Sequence, residues 1–133
     1  MTLSTEDSEV LAAADALVSA FGRFDTDAYF SLIDPTATFL FHTTDRLLGS
    51  RAEYEAEWDA WRREAGFRVL SCESSDRRVR VFGDIGLVTH TVHTVVSTND
   101  GEDTLRERES IVFRRSGDGW LVVHEHLSPF PPS

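Results

Sequence analysis

The stretch from Thr104 to Phe130, TLRERESIVFRRSGDGWLVVHEHLSPF, limits the possible folds more than any other part of the chain. It reads as two antiparallel strands joined at Ser116-Gly117-Asp118-Gly119, because turn glycines between apolar runs signal a hairpin. The second strand, Trp120 to Ser128, alternates. Trp120, Val122, His124, His126 and Ser128 fall on one face, and Leu121, Val123, Glu125 and Leu127 on the other. A strand with an apolar row on one side and two histidines and a serine on the other is not ordinary core. The polar row is expected to line a pocket.

Upstream, Ser4 or Thr5 can cap a first helix, and Glu6, Asp7 and Glu9 suit the positive end of its dipole. Val10, Leu11, Ala14, Leu17, Val18 and Phe21 recur at helical spacing. Asp25 can cap a short helix from Thr26 to Ile33, stopped by Asp34-Pro35. Thr36 to Thr43 is β-branched and aromatic and reads as a strand. Ser50 with Glu53 forms a capping box for a third helix, which Gly66 ends. Phe67 to Phe82 reads as one long bent strand or two, irregular near Glu73 to Asp76. Gly83-Asp84 turns into a strand from Ile85 to Thr98, and Asn99-Asp100-Gly101 turns into the C-terminal hairpin. Helices segregated from a long antiparallel meander indicate an α+β fold rather than alternating βαβ units. The expectation is three helices in the N-terminal half covering one face of a strongly curved, mainly antiparallel sheet, with a hollow between them.

The chain has 133 residues, which fits one domain spanning residues 1–133, and 41% are hydrophobic, enough for a core. The formal net charge of −10 argues against nucleic acid and anionic membranes as partners. The chain has no lysine, so lysine Schiff-base chemistry is excluded. A single cysteine, Cys72, excludes an internal disulfide and a zinc-thiolate cluster and fits a reducing compartment. The acidic, polar start is unlike a secretory signal, and no apolar run approaches a membrane span. A cytoplasmic location follows as an expectation.

Candidate chemistry centres on histidine. His124 and His126 sit two apart on a strand, about 7 Å apart at the backbone. His42 and His90 could join them if their strands turn inward. Such a group could act as general acid or base, since histidine titrates near neutral pH. It could also ligate a metal, or simply satisfy a polar cavity with Ser128. No carboxylate ligand is evident, so no metal or other cofactor is assigned. Tyr54, Trp58 and Trp61 form an aromatic stripe on the third helix. Core packing explains Trp61, whereas Tyr54 and Trp58 could wall the pocket against an apolar or ring-shaped ligand. Arg106 and Arg108 share a face with Ser110, opposite Glu107 and Glu109. Arg108 could bind a ligand carboxylate from the pocket wall, or the RERE run could form cross-strand ion pairs.

Asp34-Pro35 before a strand and Gly49, the Asp84 hairpin before a long strand, and the run from Arg106-Glu107-Arg108-Glu109 through Arg114-Arg115 and Trp120 to Val123-His124-Glu125-His126-Leu127-Ser128 together carry a resemblance. The chain resembles the nuclear-transport-factor-2-like superfamily in its SnoaL-like branch, and within it most resembles the association domain of calcium/calmodulin-dependent protein kinase II. The resemblance implies a conical α+β barrel with a pocket in the cone and a homodimer formed through the outer sheet face, where Leu121, Val123 and Leu127 would be buried. It does not imply one activity. Isomerase-like members of the superfamily carry a carboxylate base on the first long strand, where this chain has Phe39-Leu40-Phe41-His42. The association domain's pocket arginines fall on Val92 and Ser110. Two functions follow as expectations: a small-molecule pocket protein, as an enzyme using histidine as acid or base, or a non-catalytic association module with a vestigial pocket.

Overall fold

A computed structural model describes residues 3–132 of the chain. Met1, Thr2 and Ser133, which the single-domain reading included, lie outside the described residues. The order is α1 (Thr5–Gly22), α2 (Thr26–Ser31), β1 (Ile33–Phe41), α3 (Arg51–Ala65), β2 (Arg68–Phe82), β3 (Ile85–Thr98), β4 (Gly101–Ser116) and β5 (Gly119–Pro129). Three helices pack on one curled five-stranded sheet of order β1-β5-β4-β3-β2, which is α+β as expected. The sheet is mixed, because β1 runs parallel to β5 while the other pairs are antiparallel. It is not closed into a barrel, and β1 and β2 are its edges.

The helix starts follow from local chemistry. Ser4 caps α1 by accepting from the Asp7 amide, and the Asp7 carboxylate accepts from the Ser4 amide. Asp25 caps α2 through the Ala28 amide, and Ser50 caps α3 through the Glu53 amide. The Glu53 carboxylate reaches one residue further back than a capping box requires and accepts from Gly49. Gly66 ends α3 at φ 65, a left-handed conformation that a side chain resists. α2 stops at Ser31, two residues short of the sequence expectation. The strand therefore begins at Ile33, and Asp34-Pro35 lies inside β1. As an edge strand, β1 can hold a proline that donates no ladder hydrogen bond.

The inner sheet face meets the helices. α1 buries Val10, Ala14, Leu17 and Ala20 against it. It lies so close that a methyl at Gly86 would stand 2.8 Å from Val10 Cγ2. α2 and α3 contribute Tyr29, Phe30, Tyr54 and Trp58, all buried. Trp58 is stacked between Phe24 at 5.3 Å and Tyr29 at 5.4 Å, and its indole N–H donates to Thr26 Oγ1.

Two of the sheet's four register breaks bear on the site. β2 is one long strand with a break in register between Ser75 and Arg78, where Asp76 adopts φ 52. The second break is in β5. Val122 pairs with Phe113, and the next pair is His124 with Val112, so Val123 is an extra residue in β5. A bulge of this kind reverses the facing of every side chain beyond it. Trp120 and Val122 face the helices before the bulge, and Glu125 and Leu127 face them after it. The sequence alternation, carried through without a break, had placed His124, His126 and Ser128 on the face of Trp120. They lie instead on the outer face. Leu127, expected on that outer face, points inward.

Candidate functional site

A cavity of about 260 Å³ lies between the helices and the inner sheet face. Leu17 and Phe21 of α1, Tyr29 of α2, and Tyr54, Trp58 and Trp61 of α3 form its apolar wall. Val92 and Thr94 of β3, Glu107 and Glu109 of β4, and Glu125 and Leu127 of β5 form its floor. A mostly apolar hollow with a few convergent polar groups is the usual form of a ligand site.

The polar groups are carboxyls. Glu125 is 2% exposed and lies within the apolar wall. Burial, reinforced by the charge of Glu109, pushes its carboxyl well above the usual range, and a hydrogen bond with Tyr29 acts in the opposite sense. The two glutamates are diagonal neighbours across β4 and β5, since Glu109 pairs with Leu127 and Ile111 with Glu125. Glu107 is raised by burial and by Glu109, against a lowering hydrogen bond from His42. The hydroxyls of Tyr29 and Tyr54 lie 2.9 Å apart, and burial raises both phenols well above their ordinary value. Burial raises the Cys72 thiol to about 11, which leaves it unreactive at neutral pH.

The histidines divide. His90 sits on the inner face, with a side chain fully buried in the ladder. Its Nε2 lies 2.8 Å from Glu109 Oε1 and its Nδ1 2.6 Å from Ser74 Oγ. Nε2–H donating to Glu109 and the Ser74 hydroxyl donating to Nδ1 satisfy a neutral ring, and the same geometry serves an imidazolium. His42 follows β1 at the rim, with Nε2 2.5 Å from Glu107 Oε2. His124 and His126 stand edge to face on the outer side, with ring centroids 6.5 Å apart. His124 Nδ1 lies 2.7 Å from Thr38 Oγ1, and burial, then His126, hold the ring below its usual pKa. The four histidines do not converge. Among the described residues no group of three or more His, Cys, Asp or Glu side chains is placed to hold a metal ion.

The expected site residues therefore fall into two places. Tyr54 and Trp58 line the inner cavity. Arg108, His126 and Ser128 lie together in a second, polar hollow of about 350 Å³, with Arg78 and Ser110, and His90 and Glu109 border it as well. Arg108 cannot reach a ligand in the inner cavity, because β4 points it away. Its guanidinium and that of Arg106 lie over the Phe130 ring, at 4.8 Å and 3.7 Å. Arg77 and Arg115 turn to α1 and pair with Asp15 and with Glu6.

Glu107, Glu109 and Glu125 were not among the sequence candidates. A signal for the first two was present, since Leu105, Glu107, Glu109, Ile111 and Phe113 share one parity and three of the five are apolar. Glu125 shares parity with Leu127, but only the bulge turns that pair inward.

The comparisons with known proteins agree with this architecture. The SnoaL-like domain model matches residues 10–132, and the chain belongs to that family. The hub of the CaMKII from S. rosetta is 26% identical, with a TM-score of 0.77 over 97% of this chain and 100% of that one. A ketosteroid isomerase-like protein from Erwinia carotovora atroseptica is 18% identical, with a TM-score of 0.79 over 98% and 100%. A protein with a cystatin-like fold from Caulobacter vibrioides is 14% identical, with a TM-score of 0.76 over 96% and 92%. No curated protein matches the chain closely enough to count as a relative. Among the described residues no helix is long and apolar enough to cross a membrane.

The raised carboxyl of Glu125 has a consequence for stability. The unfolded chain releases this proton near the ordinary glutamate value of 4.5, while the folded protein keeps it to higher pH. The folded state then binds more protons, so stability falls as pH rises from the unfolded pKa to the folded one. Glu125→Gln removes that loss. In urea unfolding between about pH 4 and about pH 8, the variant should gain on the wild type by up to about 1.4 kcal/mol per pH unit within the window. Parallel curves would mean that Glu125 ionises like a surface carboxylate.

Proposed function

We propose that this protein binds a small apolar or ring-shaped molecule in the inner cavity and transfers a proton on it through Glu125. The observation that carries the reading is a carboxyl 2% exposed in a cavity walled by Tyr54, Trp58 and Phe21. A carboxyl whose pKa burial raises in such a place is suited to acid–base work. Among the histidines, His90 is the one that faces inward, and it acts through Glu109. It can take a proton from that carboxyl or return one, with Ser74 behind it. His42 acts on Glu107 at the rim in the same way. His124, His126, Arg108 and Ser128 have no part in this reaction.

A nitrobenzisoxazole tests both halves of the reading. It is a neutral ring that opens when a base removes its C–H proton and its N–O bond breaks, giving a nitrile and a phenolate. The expected result is saturable turnover that rises with pH through a pKa above the ordinary carboxylate range. Glu125→Gln should lower it about a hundredfold. Val92→Phe, which puts a ring into the cavity, should weaken saturation. Unsaturable turnover equal in both variants would overturn the proposal.

A second reading has its own support. Leu40, Phe82 and Ile85 are 41%, 57% and 37% exposed, and their register places all three on the outer sheet face. The similarity to the S. rosetta hub adds weight to assembly. In this reading the outer face, with Leu121 and Val123 of β5, forms a homodimer, whether or not the cavity is catalytic. Sedimentation velocity should give a dimer for the wild type and a monomer for Leu40→Asp. A dimer in both would exclude this surface.

A further inference from the structure

The inner cavity is charged on one side only. Glu107, Glu109 and Glu125 open into it, and no arginine or histidine side chain is among its lining residues. The nearby basic side chains are engaged elsewhere. His90 is held between Glu109 and Ser74, His42 reaches Glu107 at the rim, and the Arg106 and Arg108 guanidinia stack on Phe130 outside. Glu125 makes no ion pair among the described residues. The one group hydrogen-bonded toward it is the Tyr29 hydroxyl, which is shared with Tyr54. A buried carboxyl aimed into a cavity without a counter-charge is costly when ionised, and a cation delivered by a ligand removes that cost.

The aromatic wall narrows the kind of cation. The Trp58 ring already stacks with two others, Phe24 and Tyr29. Its π surface is therefore engaged within the protein, whereas a quaternary ammonium would need a free ring face. Recognition of charge falls to the carboxyl oxygens, which accept hydrogen bonds and need N–H donors opposite them.

We propose that the ligand of this cavity is a primary or secondary organic ammonium on a compact apolar body, its N–H groups between Glu125 and Glu109 and its body against Trp58 and Phe21. The inference rests on the reading of the inner cavity as the ligand site and adds the ligand's chemical class. A neutral or anionic ligand of the same shape leaves the carboxyls without a partner or adds repulsion to them. Binding of the cation stabilises ionised Glu125, whose burial favours the protonated form, so binding shifts the carboxyl toward releasing its proton. The titratable groups that line the cavity with this carboxyl are Tyr29 from α2, Tyr54 from α3, Cys72 from β2, and Glu107 and Glu109 from β4, with His90 of β3 hydrogen-bonded to Glu109.

Benzylammonium and benzyl alcohol share one ring and differ in charge, so titration calorimetry of the two on the intact chain tests the proposal. Benzylammonium should bind about tenfold tighter or more, a difference of about 1.4 kcal/mol. Its heat should change with the ionisation enthalpy of the buffer, reporting proton release, while that of benzyl alcohol should not. Benzyltrimethylammonium, charged but without N–H donors, should lose the advantage. Glu125→Gln, nearly isosteric, should make the ammonium and the alcohol bind alike. Equal affinity of both ring probes for the wild type would overturn the ammonium inference and leave the cavity reading standing. Failure of both to bind would overturn the two together. Quaternary binding as tight as benzylammonium would overturn the claim that hydrogen bonding to carboxyl oxygens selects the ligand.

Discussion

One extra residue in β5 decides which side chains look into the molecule. Val123 has no partner on β4, and from that point the strand presents Glu125 and Leu127 to the helices, and His124, His126 and Ser128 to the outside. Without the bulge the cavity floor would carry histidines and a serine, and Glu125 would sit on an outer sheet face. Everything proposed about the cavity depends on this offset. Its energetic consequence is large for a small local change, because burial acts on whichever group is turned inward. A neutral imidazole tolerates an apolar cavity, whereas a carboxylate there favours its protonated form.

The helices complete that environment. α1 lies close over Gly86, and α2 and α3 bring Tyr29, Tyr54 and Trp58 together with Phe21, Phe24 and Phe67. Their rings exclude water from Glu125 without offering it a positive charge. Glu109 and Glu107 differ from it in having imidazole partners, His90 and His42. The three carboxyls thus have graded surroundings within one hollow. Two are hydrogen-bonded to histidines, and the third has only a phenol beside it. Such separation of environments among like groups is how a single site holds an acid and a base at one pH.

Much of this was legible in the sequence. Caps at Ser4, Asp25 and Ser50, the stop at Gly66 and the turns at Gly83 and Gly117 follow from local backbone chemistry, and the structure has them where the residues indicate. Glu107 and Glu109 could be read inward from their parity with Ile111 and Phe113, had the RERE run not suggested an exposed ion-pair ladder. The facing of Glu125 was not legible. A bulge leaves no composition signal in Leu-Val-Val-His-Glu-His-Leu, because Val122 and Val123 are alike and either alternation is locally consistent. What selects the register is remote. Val122 donates to the Leu32 carbonyl, and β1 pairs Thr38 with His124 and Phe39 with Glu125. The edge strand, far away in sequence, fixes the phase of β5. The same long-range pairing explains why β1 begins at Ile33 despite the proline two residues on.

The most direct measurement is a carbon-13 NMR titration of glutamate side-chain carboxyls, with the Glu125 resonance assigned by its loss in Glu125→Gln. An inward carboxyl in an apolar cavity titrates well above the ordinary glutamate range, and its midpoint moves when the cavity is filled by Val92→Phe. A midpoint near the ordinary glutamate value of 4.5, unmoved by that substitution, would put Glu125 in water and contradict the facing of β5 on which the account stands.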